Sequence, residues 1–352
     1  MKALHDLLEA MRLPNGAYVA SPSNDYSYVW IRDIAYTVLP YLHTDCGRYE
    51  AAYHALLDLF RQYEWKIDIH TRQKPVLQYE YIHARYSVDL REVPDPWGHA
   101  QNDSIGLFLW GLGQGVRHGK RLLRDRRDQD IVQKLVYYLG CLQYWQEPDN
   151  GIWEEYVELH ASSVGACVAG LKAVSLLVNV PQEWIARGEE TLKQLLPRES
   201  ATKETDLALL SLIYPYEVVN RATALRILGD VTQKLERTHG VIRYAGDRYY
   251  NEGSEAEWCF GFPWLGLCYA QLGDRQKVRH YWKKTAALLD ANHGNMPELY
   301  IGGTGQPNPN NPLAWAVSMT LLLHEQTDPE TKTEAARNVQ PAAHYEKKGT
   351  SA

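Results

Sequence analysis

Gly47-Arg48-Tyr49-Glu50-Ala51-Ala52-Tyr53-His54-Ala55-Leu56-Leu57-Asp58-Leu59-Phe60-Arg61-Gln62-Tyr63-Glu64-Trp65 is the stretch from which the fold is read. Tyr49, Ala52, Tyr53, Leu56, Leu59, Phe60 and Tyr63 recur with the 3.6-residue period and fall on one stripe. The same period places helices near 2–11, 32–43, 48–65, 100–118, 127–146, 161–177, 181–195, 203–213, 219–235, 254–272, 274–290 and 311–326. Short links join some of them, such as Gly273-Asp274 and the stretch around Pro181. Longer loops near 14–31, 66–99, 147–160, 240–253 and 293–310 precede alternate helices. Twelve helices linked in this alternation predict an all-α toroid of six hairpins, with the long loops of the inner helices on one face. Stretches 66–71 and 76–82 carry β character and predict a small hairpin.

Of the 352 residues, 45% are apolar and 23% charged, enough for an ordinary core. No shift in composition marks a boundary, so 1–328 reads as one domain. Residues 329–352 are polar and aperiodic and are expected to be disordered. A net charge of −6 without a basic stretch argues against nucleic acid and anionic membranes as partners. No apolar run reaches the ~20 residues of a membrane span, and Met1-Lys2-Ala3-Leu4-His5-Asp6 is no secretory leader, so a cytoplasmic location is expected. Cys46, Cys141, Cys167, Cys259 and Cys268 are odd in number and lack CxxC spacing; they read as buried free thiols. The histidines form no HExxH, and neither a metal nor another cofactor is expected.

With 11 Trp and 24 Tyr against 4 Phe, the chain favours rings that stack on sugar faces and still donate hydrogen bonds. These rings cluster with acids on the long loops. Asp25-Tyr26-Ser27-Tyr28-Val29-Trp30-Ile31-Arg32-Asp33 ends at a helix start, where Arg32 and Asp33 can grip two neighbouring hydroxyls or simply cap the helix. Trp97 precedes another inner helix and either stacks on a sugar or wedges under its loop. Asp149-Asn150-Gly151 is a turn signal expected to throw Ile152-Trp153-Glu154-Glu155-Tyr156 into an extended stretch. Two adjacent carboxylates repel when both are ionised, which favours a proton on one of them. Arg243, with Tyr244, Tyr249 and Tyr250 near it in sequence, can bind a hydroxyl, orient a carboxylate or serve as a structural ion-pair partner. Glu298 follows Pro297, ahead of the Gly302–Asn310 stretch, which is expected to be soft, and Trp315 lies on the helix beyond. One protonated and one ionised carboxyl facing each other are what hydrolysis of a glycosidic bond requires. Other patterns have plainer readings: Ser200-Ala201-Thr202-Lys203 as a helix start, Gly111-Leu112-Gly113-Gln114-Gly115 as helix interior, and Arg124–Asp130 as a solvated charged run.

In their order these motifs resemble glycoside hydrolase family 15, the glucoamylase family, over roughly 14–327. They are also similar to the N-terminal region of phosphorylase kinase alpha and beta regulatory subunits. That second likeness is carried by Asp95-Pro96-Trp97-Gly98-His99-Ala100-Gln101, Gly151-Ile152-Trp153-Glu154, Ala161-Ser162-Ser163-Val164-Gly165, Leu195-Leu196-Pro197-Arg198 with Lys203-Glu204 and Asp206, and Pro297-Glu298-Leu299-Tyr300. The resemblance implies an (α/α)6 toroid and inverting hydrolysis of α-glucans from the non-reducing end. It implies Glu154 as general acid and Glu298 as general base. Arg32 and Asp33 would then bind the hydroxyls of the terminal glucose with Tyr26 beneath the ring. Trp97, Trp153, Glu155, Arg243, Trp258 and Trp315 would complete the pocket. The alternative from a different class is a carbohydrate-sensing regulatory module, favoured by the Pro-Glu-Leu-Tyr context of Glu298.

Overall fold

The protein is described by a computed structural model over residues 1–44 and 46–327. The tail expectation for 329–352 lies outside the described residues.

A helix surrounded by other helices must be apolar on every side, and the chain supplies a set of these. They are α2 (Ile31–Thr37), α5 (Asn102–Arg117), α7 (Ala161–Val174), α10 (Gly261–Gln271) and α12 (Ala314–Thr327). In α7 Lys172 alone escapes burial. Together with a 3-10 turn, Leu207–Leu212, they close a ring: α2 touches α5, α5 touches α7, α7 the 3-10 turn, that turn α10, α10 α12, and α12 returns to α2. The outer layer is amphipathic. α1 (Lys2–Ala10) packs on α12, α3 (Arg48–Gln62) on α2, α6 (Arg126–Leu142) on α5 and α8 (Gln182–Leu195) on α7. α9 (Arg221–Lys234) packs on the 3-10 turn and α11 (Arg275–Ala291) on α10. On α8 only Ile185, Gly188 and Leu192 are buried, a single stripe one turn apart. This is the six-hairpin toroid that the sequence predicts.

The inner ring is drawn tight by glycine where α5 meets α7. A Cβ at Gly106 would lie 2.4 Å from the Ala166 carbonyl carbon, and one at Gly170 would lie 2.4 Å from the Gly106 oxygen. Only glycine allows this backbone approach, so Gly106→Val would force the two helices apart and cost several kcal/mol of packing, on the order of 1–3 kcal/mol or more. The Gly111–Gly115 stretch lies inside α5, as expected, with Tyr53 and Tyr49 against Gly111.

Several expectations need correction. Helix 203–213 is only the 3-10 turn, because Asp206 caps at Ala208 and Pro215 cannot continue a helix. The helix expected from 254 starts at Gly261, since Glu257–Trp258 (β3) pairs antiparallel with Leu299–Tyr300 (β4). The helix expected over 32–43 ends at Thr37, with a 3-10 turn at Leu39–Tyr41 where Pro40 lacks an N–H. The helix over 48–65 breaks at Tyr63 and resumes as α4 (Glu64–His70). The predicted hairpin at 66–71 and 76–82 is absent: its first arm lies largely in α4 and its second holds a 3-10 turn, Gln78–Glu80. Strand pairing falls instead between Val29–Trp30 (β1) and Arg85–Tyr86 (β2). Arg124–Asp130 is not simply solvated, because Asp128 is fully buried and held by Arg124 and Arg61. Among the cysteines, Cys167, Cys259 and Cys268 are buried, Cys141 is half-buried and Cys46 is exposed; all are free. No helix among the described residues is long and apolar enough to cross a membrane.

Candidate active site

Long loops enter the inner elements on one face and there line a cavity of about 280 Å³. Its walls include Tyr26, Arg32, Asp33, Trp97, Trp153, Glu154, Glu155, Arg243, Trp258, Glu298 and Trp315, every site residue the sequence nominates.

The Glu154 wall is built on Asp149. Its carboxylate accepts from Gly151 N at 3.1 Å, Ser163 Oγ at 3.0 Å and Asn102 N at 2.9 Å, tying the turn to the starts of α7 and α5. The loop closes on itself through Asp149 N to Glu158 O at 2.8 Å and Glu158 N to Asp149 O at 3.0 Å. Between these bonds the chain turns instead of extending: Glu154 N donates to Gly151 O at 3.1 Å, and Glu154 takes a left-handed φ of 61°. That conformation is uncommon for a non-glycine residue and costs on the order of 1–3 kcal/mol. Beneath the loop, His160 is buried with Nδ1 3.4 Å from Glu199 Oε1 and Nε2 3.2 Å from the Tyr156 carbonyl. Burial opposes charge on this ring, but the bond to Glu199 and the charges of Asp149 and Glu199 outweigh it and lift its pKa to about 9.

Four donors converge on Glu154. Oε1 accepts from Trp30 Nε1 at 2.9 Å, Arg32 Nη2 at 3.1 Å and Gln101 Nε2 at 3.1 Å; Oε2 accepts from Trp97 Nε1 at 3.0 Å. Trp97 is thus neither a mere wedge nor simply an open platform, since its N–H is aimed at an acid. Arg32 is also held by Gln101 Oε1 at 2.8 Å and Asp103 Oδ2 at 3.1 Å. Glu155, although adjacent, faces other cations: it accepts from Arg243 at 2.6 Å, Lys203 at 3.3 Å and the Tyr244 hydroxyl at 2.6 Å. The expected mutual repulsion of the two carboxylates is therefore divided between separate partners. Lys203 is buried in this ion network; its stretch is not the helix start the sequence suggests.

Glu298 lines the same cavity from the residue just ahead of β4 and is 1% exposed. Its Oε2 accepts from Asn308 Nδ2 at 2.5 Å and Asn310 Nδ2 at 2.7 Å, and Tyr26 also bonds the carboxyl. Burial drives its pKa above the ordinary value, and these bonds and the Arg243 charge pull it back only in part. The loop end expected to be soft is in fact fixed, with Asn308 and Asn310 buried. Asp33 faces the cavity without a side-chain hydrogen bond from the described residues; burial lifts it to about 7 against the pull of Arg32, and the charges of Glu154 and Glu298 add to the rise. Arg243 is clamped by Asp247 at 2.7 Å and lies against the rings of Trp153, Tyr249 and Trp258. Trp153 donates to Asp206 at 2.8 Å, whereas the buried Nε1 atoms of Trp258 and Trp315 have no hydrogen-bond partner among the described residues. The sequence assigned no role to Trp30, Gln101, Asn308 or Asn310, and named Tyr249 only as a neighbour of Arg243. Tyr249 meets the Tyr26 hydroxyl at 3.0 Å.

The profile of glycosyl hydrolases family 15 matches residues 2–291. The chain belongs to glycosyl hydrolases family 15. As a member of this family it is similar to a probable phosphorylase b kinase regulatory subunit alpha of Caenorhabditis elegans, 28% identical, with 76% of this chain and 25% of that protein covered. The skeletal muscle isoform of that subunit from Oryctolagus cuniculus is 26% identical over 62% of this chain and 21% of its own. The chain thus spans about a quarter of the length of these curated relatives. A solved glycosidase superposes with a TM-score of 0.81 at 23% identity, covering 93% of this chain and 95% of that one. A Hormoconis resinae glucoamylase superposes with a TM-score of 0.66 at 17% identity, covering 97% and 75%. At these identities the likeness shows the family's (α/α)6 fold.

Proposed function

We propose that the protein is an inverting, exo-acting glucohydrolase that releases β-glucose from the non-reducing ends of α-glucans or short α-glucosides. The observation that carries this reading is that Glu154 and Glu298 line one small cavity walled by Trp and Tyr rings. Glu154 delivers a proton to the leaving oxygen and Glu298 takes one from water, which requires the carboxyls to stand roughly 6.5–9.5 Å apart with that water between them. Asp33 accepts from a sugar hydroxyl, Arg32 sits beside it, and Tyr26 lies under the ring. Trp97, Trp153, Glu155, Arg243, Trp258 and Trp315 shape the rest. A cavity of about 280 Å³ is at the small end for ligand sites and suits a chain end better than a chain interior. The roles of the two acids rest on the family motif order, since burial alone favours a proton on Glu298.

One observation favours a second reading, a carbohydrate-sensing module: the curated relatives of this chain are named as kinase regulatory subunits. Incubation with maltooligosaccharides, isomaltooligosaccharides and trehalose, followed by NMR of the anomeric protons, separates the two. Early β-glucose supports the hydrolase and names the linkage. Sugar binding without any product overturns it in favour of the module.

A further inference from the structure

Oε1 of Glu154 is saturated by three donors, whereas Oε2 has one, the indole of Trp97. Oε2 is therefore the oxygen with a lone pair to spare for a travelling proton, and the ring of Trp97 decides where it points. What holds that ring is Arg85. Its guanidinium carbon lies 3.8 Å from the Trp97 centroid, 4.7 Å from Tyr28 and 5.8 Å from Trp30. The β1–β2 pairing puts Arg85 directly opposite Trp30, and Arg85 Nη2 reaches Asp95 Oδ2 at 3.1 Å, two residues before Trp97. Arg85 is 5% exposed, and its Nε has no partner, so hydrogen bonding alone does not explain the placement. A buried planar cation inserted among three rings gains from stacking on them. Nothing in the sequence reading singled it out, and it does not line the cavity.

We propose that Arg85 is a positioning residue for hydrolysis: it fixes the Trp97 indole so that its N–H sets the proton-carrying oxygen of Glu154. The inference rests on the glucohydrolase reading. Arg85 does not line the cavity, and of the two indoles that donate to Glu154 it lies far closer to Trp97 than to Trp30, so its effect is expected to pass chiefly through Trp97. A ring displaced by about an ångström loses the bond to Oε2, and misplacement on that scale costs roughly up to 10²-fold in rate. Because Trp97 is one of several lining rings but the sole donor to Oε2 of Glu154 among the described residues, the loss belongs mainly in kcat.

The test is a double-mutant cycle of Arg85→Ala and Trp97→Phe, with kcat and KM measured on the substrate that the wild type turns over and folding checked by thermal melts. Trp97→Phe keeps a ring for Arg85 to stack on but deletes the N–H. Arg85→Ala is expected to lower kcat by about 10–100-fold while KM moves less than about threefold. In the Trp97→Phe background the same change is expected to cost less than about threefold, since its route is already cut. Independent, multiplicative effects, or an Arg85→Ala kcat within about threefold of wild type, overturn the proposal. Asp95→Ala, at a 58%-exposed side chain, keeps the experiment decisive if Arg85→Ala does not fold. It frees one anchor of Arg85, so a fall in kcat that vanishes in the Trp97→Phe background supports the proposal, and no fall overturns it. A wild type without turnover defeats the glucohydrolase reading itself, an outcome distinct from an active wild type with an additive cycle.

Discussion

Glu154 and Glu298 are one residue type on one cavity, yet a guanidinium, two indoles and an amide hold the first, while two amides and a phenol hold the second. The first sits on a turn in a rare backbone conformation, the second beside a short strand pair. Charge is supplied directly to one and only at a distance, by Arg243, to the other. Two carboxyls with different work can be distinguished by their surroundings. Here the surroundings distinguish them by donor type.

Swapping each acid for its amide tests that contrast most forcibly. Glu298→Gln and Glu154→Gln are each expected to cut turnover of an α-glucan by roughly 10²–10⁴-fold, the usual range for loss of a general acid or base. An α-glucosyl fluoride, whose leaving group needs no proton, should restore Glu154→Gln and not Glu298→Gln. Rescue of the opposite variant would exchange the two roles. Calorimetry should find glucose bound by Glu298→Gln within a few-fold of wild type.

Next in size is the buried imidazole under the Glu154 loop. Removing one partner of a buried ion pair costs about 3–5 kcal/mol, so His160→Gln should melt well below wild type at pH 6. The folded pKa of His160, about 9, is raised above its unfolded value, so its stabilisation is complete below about 6.5 and fades as pH rises through about 9. The gap in melting temperature between the two proteins should therefore narrow between pH 7 and pH 10. A constant gap would show that the ring is not charged in the folded protein.

Smaller effects belong on the Glu298 wall. Because burial raises the pKa of Glu298 and the base must be ionised, the acid limb of kcat/KM should lie above the ordinary value of 4.5. Asn310→Ala removes a donor that favours the ionised form. That limb should then move to higher pH. An unmoved limb would mean that another group sets it.

The inner helices were legible because long loops precede them in alternation, as the 147–160 loop ahead of α7 shows. The 3-10 turn at 207–212 was not, since a short apolar run does not say how tightly it winds. Strands two residues long, such as β3, carry no period and exist through a partner some forty residues away. At the site, aromatic–acid clusters marked Tyr26, Trp97, Trp153, Glu154 and Trp258 in advance. Asn308 and Asn310 were hidden in a Gly-, Pro- and Asn-rich run that reads as soft, because their purpose depends on folding back onto Glu298. Lys203 was hidden for the same reason, since its partner lies 48 residues upstream.

The left-handed backbone at Glu154 has an effect on how such a protein can change over time. Asparagine and glycine adopt that conformation more readily than glutamate does. In a descendant of this chain that kept the toroid but was under no selection for an acid here, position 154 would carry backbone strain with nothing to retain glutamate. Asparagine or glycine at 154 would relieve that strain while removing the carboxyl.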